Sequence, residues 1–144
     1  MTPTASGRRL SAWTLVDIPA VNDARGSLCF TEANRHLPFP IERVYWVYDI
    51  PRYTERGGHA HRSVRELVVA VAGRFDVHCD DGIDRHTFHL DDPSRGLLLD
   101  PGVWRVLDEF SPGAVCLVLA SGPYEEDEYV RDYAAFAERA EDFR

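Results

Sequence analysis

The sequence predicts an all-β fold, a sandwich or a barrel, formed by one domain that covers residues 1–144. Many short runs are rich in Val, Leu, Tyr, Phe and Trp, and turn signals such as those at residues 23–26, 56–58 and 111–113 separate them. A length of 144 residues suits one domain with one core. No internal repeat, linker or low-complexity segment divides the chain.

The predicted elements follow one another from a flexible tail at residues 1–9. Strands are predicted at 13–18, 27–31, 43–49, 64–72, 74–80, 84–90, 95–99, 103–109 and 114–120. Asp81-Gly82 is a strong turn dipeptide between 74–80 and 84–90, which predicts a hairpin. The run from Glu66 to Ala72 is almost uniformly apolar and should be a central strand. An acidic, turn-like segment at 123–133 precedes a short amphipathic helix that uses Tyr133, Phe136 and Ala137.

Composition narrows the classes of partner and compartment. The net charge is -8 and no basic block stands out, which argues against nucleic acid. All basic residues are Arg, the side chain best suited to bidentate contacts with phosphate. No apolar run is long enough to predict a membrane span, and the first residues lack the apolar stretch of a signal peptide, so a cytoplasmic location is expected. Cys29, Cys79 and Cys116 lie in apolar runs and are expected to be buried free thiols.

The most informative stretch for chemistry is Arg56-Gly57-Gly58-His59-Ala60-His61. In an extended strand, residues two apart point to the same side, so His59 and His61 should face one cavity. The two glycines before them allow close approach of backbone or ligand. Two imidazoles on an inner face can act as acid and base near neutral pH. The alternative interpretation is a pair of polar surface residues in a loop.

This stretch also resembles the first cupin motif, through His59-x-His61 followed by Glu66 and Gly73. In metal cupins the two His and the Glu bind an ion, and a second motif, Pro-x-Gly-x-x-His, supplies a fourth ligand. Here the comparable segment begins at Pro101 and ends at Arg105, which stays protonated and cannot bind a metal. We therefore expect a cupin-type jelly-roll β-barrel with a short C-terminal helix and no metal or cofactor, while a 2-His-1-carboxylate site stays open.

A longer series of segments carries a more specific resemblance, over roughly residues 24–136. The segments are Arg25 to Leu28, Pro38-Phe39, Arg43 to Tyr45, Arg56 to His61, Asp80 to Gly82, Gly96-Leu97, Trp104, Asp108 with Phe110-Ser111, Leu117 to Ser121, and Asp127-x-Tyr129-Val130-Arg131-Asp132-Tyr133. Through them the chain resembles the sugar 3,4-ketoisomerases that act on dTDP-4-keto-6-deoxyglucose, a metal-free branch of the cupins. Two positions depart from that pattern: the family often has Gln where this chain has Glu66, and some members have His where it has Arg105.

The resemblance implies an isomerase whose ligand is a nucleotide-linked sugar, a dTDP-hexose. A base removes the proton at C3 of the 4-keto sugar, and reprotonation of the enediol at C4 leaves the ketone at C3. His59 and His61 are the candidate base and acid, with their roles open. Tyr45 would donate a hydrogen bond to the enediolate, or it is a core aromatic residue. The resemblance also implies a homodimer.

The remaining candidates concern substrate binding. Arg25, Arg43, Arg56 and Arg105 lie within or beside the matched segments, and Arg56 is the first choice for the diphosphate because it lies three residues before His59 at a glycine turn. Trp104 would pack on the sugar or base, or belong to the core.

Glu66 lies on an otherwise apolar strand. Once buried, it needs a partner, and a His or an Arg would serve.

Three alternatives stay open at this point. A 3- or 5-epimerase of the same substrate class uses His and Tyr on the same scaffold and differs only in where the proton returns. A metal-dependent cupin enzyme would use His59, His61 and Glu66 as ligands. A non-catalytic module would bind the sugar nucleotide without turning it over.

Overall fold

The structure, a computed structural model, describes residues 12–140. The strands are β1 (Trp13–Asp17), β2 (Ala20–Asp23), β3 (Gly26–Cys29), β4 (Arg43–Val47), β5 (Arg56–His61), β6 (Glu66–Ala72), β7 (Phe75–Asp80), β8 (Arg85–Leu90), β9 (Arg95–Leu99), β10 (Trp104–Asp108), β11 (Val115–Ala120) and β12 (Tyr129–Val130). A short 3-10 helix at Glu126–Glu128 precedes β12, and α1 (Tyr133–Arg139) follows it. Asp132 caps α1, because its carboxylate accepts a hydrogen bond from the backbone N–H of Ala134.

The named strands form two five-stranded antiparallel sheets and a separate two-stranded hairpin. The first sheet has the order β1-β9-β6-β11-β4, the second has the order β12-β5-β10-β7-β8, and β2 pairs with β3. The strand ladders do not join the two large sheets into one closed barrel within residues 12–140. The fold is therefore a jelly-roll sandwich, which confirms the predicted all-β class and the short C-terminal helix.

The main core lies between the two large sheets. Val68 and Ala70 of the first sheet and Val77 and Leu107 of the second belong to one buried cluster. Along β7, buried and half-buried residues alternate, because successive side chains of a strand point to opposite faces. Each large aliphatic side chain buried in this way stabilises the fold by about 1.5–3 kcal/mol.

Several of the predicted elements are confirmed. β6 is the middle strand of the first sheet, as its apolar run predicts. β7 and β8 pair in register from Phe75–Leu90 to Asp80–Arg85, so the Asp81-Gly82 hairpin is present. In α1, Phe136 is fully buried, as expected for an amphipathic helix, whereas Tyr133 and Ala137, expected on the same apolar face, are exposed. No helix within residues 12–140 is long and apolar enough to cross a membrane.

Other predictions are wrong, and one concerns residues that the structure does not describe. Cys29 is exposed because it lies on β3, whose residues are all exposed; Cys79 and Cys116 are buried as expected. Residues 20–23 form a strand that the sequence did not predict, and the acidic segment at 123–133 contains the short strand β12. The predicted tail at residues 1–9 lies outside the described residues.

Candidate active site

Two glycines with left-handed backbone open β5 and direct its histidines inward. Gly57 has φ +84°, and a Cβ atom there would lie 2.8 Å from the backbone oxygen of Arg105, so only glycine fits against β10. His59 pairs with Arg105 across the β5–β10 ladder, where the register shifts. Ala60 points to the other face of β5, into a cluster with Phe136.

The two imidazoles lie together at the inner end of this strand. Their ring centroids are 5.0 Å apart and the rings are nearly perpendicular. The ring of Tyr129 lies over both, at 4.9 Å from His59 and 4.6 Å from His61. His61 is fully buried, whereas His59 is partly exposed. No ring nitrogen of the pair makes a hydrogen bond of good geometry, which leaves both side chains available for a ligand or for proton transfer.

Glu66 anchors a buried polar network behind the histidines. Arg105 Nη1 donates to Glu66 Oε1 over 2.6 Å, and the Tyr45 hydroxyl donates to Glu66 Oε2 over 3.0 Å. His61 Nε2 lies 3.4 Å from Oε2, a contact too poorly aligned to be a hydrogen bond. Arg43 Nη2 lies 3.8 Å from the same oxygen. The carboxylate therefore has the partners that its burial requires, an Arg and a His.

Burial and neighbouring charges shift the pKa values in this network. Burial, the charge of Arg105 and the neighbouring His61 together lower the pKa of His59 to about 3. Burial acts to raise the pKa of Glu66, but contacts from His61, Arg105 and Tyr45 outweigh burial and hold that pKa below its usual range. Burial and the charge of Glu66 raise the pKa of Tyr45. At neutral pH, His59 is thus a neutral base and Tyr45 keeps its proton.

An open pocket of about 450 Å³ gives access to this network. Its lining residues are Arg43, Tyr45, Glu55, Arg56, Gly57, His59, Tyr124, Tyr129 and Arg131. Arg43 Nη2 donates a hydrogen bond to the Tyr129 hydroxyl over 3.2 Å, and the Arg131 guanidinium lies 4.3 Å from the centroid of the Tyr129 ring. The pocket combines three cations, the Glu55 carboxylate, three aromatic rings and a neutral imidazole, so cations outnumber the one acid and the set suits an anionic ligand.

A larger pocket of about 680 Å³ lies beside Arg52, Arg74 and Phe110. It contains neither His59 nor His61. Size alone does not identify a functional site, and the smaller pocket is the one that His59 lines.

Known proteins with the same fold and related sequences point to one family. A family model described as FdtA, WxcM-like, C-terminal, matches residues 11–141. The TDP-4-oxo-6-deoxy-alpha-D-glucose-3,4-oxoisomerase of Aneurinibacillus thermoaerophilus is 38% identical over 122 residues, which cover 85% of this chain and 88% of that protein. The chain belongs to the FdtA, WxcM-like family.

Solved structures place this member of the FdtA, WxcM-like family among 3,4-ketoisomerases. A 3,4-ketoisomerase from Helicobacter canadensis superposes with a TM-score of 0.86 at 36% identity, covering 90% of this chain and 97% of that one. A sugar 3,4-ketoisomerase from Thermoanaerobacterium thermosaccharolyticum, solved in complex with TDP, gives a TM-score of 0.90 at 30% identity over 93% of this chain and 98% of that one. The predicted resemblance is confirmed, and the chain is an isomerase of this kind.

Most residues that the sequence analysis selected meet in one place. Arg43, Tyr45, Arg56 and His59 line the pocket, and His61 lies just behind it. Arg105 is buried and paired with Glu66, so its guanidinium is not a free cation at the pocket surface.

Arg25 and Trp104 lie apart from this group. Arg25 occupies the turn of the β2–β3 hairpin, where its exposed guanidinium pairs with Asp23 over 2.8 Å. Trp104 lies on the opposite face of β10 from Arg105, and its ring packs against Tyr133 and Phe136. The packing interpretation of Trp104 is thus the one that its contacts favour.

Sequence reasoning missed four residues that line the pocket: Glu55, Tyr124, Tyr129 and Arg131. Glu55 lies just before β5, and the other three lie in the segment interpreted as an acidic turn. Tyr129 and Arg131 belong to the segment at 127–133 that matches the family. The resemblance therefore pointed to these two residues, although the sequence analysis assigned them no function. Glu128 fixes this segment in place, because its carboxylate accepts hydrogen bonds from the Ser63 side chain and the Val64 backbone.

The cupin fold implies a metal at this position, and the donor set allows that idea to be tested. Ligand atoms of His59, His61 and Glu66 lie within 4.8 Å of one another, as a metal site requires. However, the Arg105 guanidinium already contacts the carboxylate at 2.6 Å, and Arg105 stands where the fourth ligand would be. The residues present do not fit a metal ion, and no step below passes through one.

Proposed function

We propose that this chain converts a TDP-4-keto-6-deoxyhexose to its 3-keto isomer by proton transfer through an enediol. The observation that carries this proposal is the pair of adjacent buried imidazoles behind a pocket lined by arginines. A relative that is 38% identical is named for the 3,4-isomerisation of TDP-4-oxo-6-deoxyglucose. A variant of the Thermoanaerobacterium enzyme has been solved with TDP-4-keto-6-deoxyglucose. These relatives favour ketoisomerisation over the epimerase, metal-enzyme and non-catalytic alternatives.

In this proposal His59 transfers the carbon-bound proton. It is the histidine that lines the pocket, and its lowered pKa keeps it neutral and able to accept a proton. The base takes the proton from C3, electrons shift toward the C4 oxygen, and that oxygen takes up a proton to form the enediol. Return of a proton to C4 and loss of the proton on the C3 oxygen complete the exchange. His61, 5.0 Å away, is the candidate for the second transfer.

The buried ring nitrogens place one requirement on this mechanism. Both nitrogens of His59 are shielded from solvent, with Tyr129 over the ring. Substrate must therefore displace Tyr129 or rotate the imidazole before a nitrogen reaches C3. Tyr45 donates its hydroxyl hydrogen to Glu66 and lines the pocket, so it would accept, rather than donate, a hydrogen bond from a sugar hydroxyl.

The diphosphate would bind at the pocket mouth. Arg43 and Arg56, both sequence candidates, line the pocket together with Arg131. Arg56 is exposed and makes no ion pair within residues 12–140, so it is free to form a bidentate contact. Arg25 contributes in this proposal only if the β2–β3 hairpin of one chain reaches the pocket of another, and Trp104 keeps its packing role.

The proposal includes a homodimer and the expected cytoplasmic location. β4 is an edge strand of the first sheet, and Val44 and Trp46 expose apolar side chains beside it. Val21 and Leu28 of the β2–β3 hairpin are also more than half exposed. An apolar edge of this kind is suited to contact with a second copy.

The decisive experiment is incubation with TDP-4-keto-6-deoxyglucose in D₂O, with NMR of the product. We expect the ketone at C3 and deuterium at C4, because the abstracted proton exchanges with solvent at the imidazole. An epimerase would instead leave the ketone at C4 and place deuterium at C3 or C5. Binding of TDP without any turnover would support the non-catalytic alternative and overturn the proposal.

A further inference from the structure

Arg105 lies against a set of side chains that otherwise has the composition of a metal site. His59, His61 and Glu66 bring two imidazoles and a carboxylate within 4.8 Å of one another. Arg105 is 2% exposed, and His59 faces it directly across the β5–β10 ladder. This guanidinium is therefore an interior group that shares one enclosure with the three candidate ligands.

The hydrogen bonds of Arg105 fix its orientation in that enclosure. Nη1 donates to Glu66 Oε1 over 2.6 Å, and Nε donates to the backbone oxygen of Val103 over 3.1 Å. Nη2 is buried without a hydrogen-bond partner. Two directed contacts hold the planar group in one orientation, so its position is set by the fold rather than by solvent.

The Arg105 guanidinium balances the negative charge of the buried Glu66 carboxylate. A buried carboxylate needs a compensating cation, and Arg105 is the nearest to Glu66, while Arg43 Nη2 is 3.8 Å away. A divalent ion bound by the same carboxylate would lie beside the fixed positive charge of Arg105. Arginine cannot lose its proton to relieve that repulsion.

We infer that Arg105 supplies the positive charge of this site in place of a metal ion. Its guanidinium compensates the Glu66 carboxylate and keeps His59, His61 and Glu66 from binding a metal ion. The same geometry makes the three residues a latent metal site, which opens when the guanidinium is removed. Because the inference concerns metal binding, it stands independently of the proposed isomerisation.

The test is a Co²⁺ titration of the full chain, followed by visible absorption and calorimetry. Wild type is expected to show no Co²⁺ bands that depend on His61. R105H removes the cation and supplies an imidazole at the fourth position, so it should bind one Co²⁺ tighter by on the order of 100-fold or more. R105H/H61N should lose that binding. R139H, which places a histidine on exposed helix surface, is the control for the added imidazole.

Either of two outcomes of the Co²⁺ titration would overturn the inference. One is stoichiometric Co²⁺ binding by wild type that H61N abolishes; this arm needs no variant at position 105. The other is a folded R105H protein that binds no more Co²⁺ than wild type. If R105H does not fold, R105Q removes the cation alone, and Co²⁺ should then raise the melting temperature of R105Q but not that of wild type. An unchanged melting temperature of folded R105Q would equally contradict the inference.

Discussion

His59 and His61 share one strand and one cavity, yet they have different surroundings. His59 lines the pocket, whereas His61 is fully buried and contacts Glu66 at 3.4 Å. Under the proposed function, the outer imidazole meets the substrate, and the inner one lies against the carboxylate network. Substitution of each by Asn, which cannot transfer protons near neutral pH, separates the two roles.

We expect H59N to lower kcat by about 10²–10⁴, the usual size of general acid–base catalysis, with TDP binding nearly unchanged. H61N should also lower kcat. Hydrogen exchange at C3 of the substrate, followed by NMR, shows which proton-transfer step each variant has lost. Slow exchange in a variant marks its histidine as the first base; normal exchange without 3-keto product marks it as the C4 acid. H86N, on the exposed face of β8, is the matched control. Wild-type turnover by both folded variants would make the pair structural.

Protonation of His59 also connects the site to stability. Its pKa is about 3 in the folded chain but ~6.5 when unfolded, so the unfolded chain binds more protons between these values. Stability is therefore fully present above about pH 6.5 and falls as the pH drops toward about 3. The lowered pKa of Glu66 acts in the same direction at lower pH, since protonation of its carboxylate favours unfolding.

From these pKa values we expect the free energy of unfolding of wild type to fall more steeply than that of H59N between pH 7.5 and pH 5. The expected difference is up to about 2 kcal/mol, since each pH unit below the unfolded pKa contributes about 1.4 kcal/mol for one proton. Urea unfolding at several pH values measures it. Parallel curves for the two proteins would show that His59 has an ordinary pKa in the folded state.

The start of β5 shows how one element sets the active site. Gly57 and Gly58 both have left-handed backbone, but only Gly57 lies against β10. A Cβ at Gly57 would lie 2.8 Å from the Arg105 oxygen and 3.3 Å from Leu107 Cδ1, whereas a Cβ at Gly58 would meet nothing within 4 Å. An alanine at Gly58 would therefore introduce backbone strain alone, whereas an alanine at Gly57 would add a collision with β10.

G58A should cost roughly 1–2 kcal/mol of stability, the strain of a left-handed non-glycine residue. G57A should cost more and should also lower kcat, because relief of the collision moves β5 and His59 away from Arg105. Thermal unfolding and steady-state kinetics of the two variants measure both effects. Equal losses in the two variants would mean that the β5–β10 contact does not position the histidine.

The strands show how far sequence reasoning reaches. Alternation and a strong turn dipeptide define the β7–β8 hairpin, and a uniformly apolar run defines β6, so both follow from local chemistry. β2 is short and fully exposed, and β12 has only two residues, so neither carries such a local signal. The position of Tyr129 over the histidines depends on the contact between Glu128 and the β5–β6 loop, some 64 residues away in the chain. Contacts between residues so far apart in the sequence depend on the whole fold, so a local sequence pattern cannot predict them.

The same limit applies to Arg105. The missing second-motif histidine is visible in the sequence, and it argues against the metal interpretation there. The ion pair with Glu66 is not visible, because 39 residues separate the two side chains. Sequence reasoning thus grouped Arg105 with the arginines expected to bind diphosphate, although its charge is already matched by a buried carboxylate.

The outer face of the first sheet has an exposed apolar patch that is relevant to dimer assembly. The outer face of the first sheet carries a second apolar cluster that includes Leu67, Val69 and Leu119, and Leu37 and Phe39 from the preceding segment pack on it. That segment does not cover the whole face. Val44 and Trp46 on the edge strand are 46% and 58% exposed. An exposed apolar patch continuous with a buried cluster is typical of a surface that a partner covers.

If a second copy covers this face, a charge at its centre should prevent assembly. W46E is therefore expected to convert a dimer into a monomer in light scattering coupled to gel filtration, because a buried unpaired carboxylate is strongly disfavoured at an interface. Ile83, on the β7–β8 turn, is also 58% exposed, so I83E is a control matched in exposure and charge but outside the patch. We expect I83E to leave the dimer intact. A wild-type monomer, or a W46E protein that is as dimeric as wild type, would show that this face is not the homodimer interface.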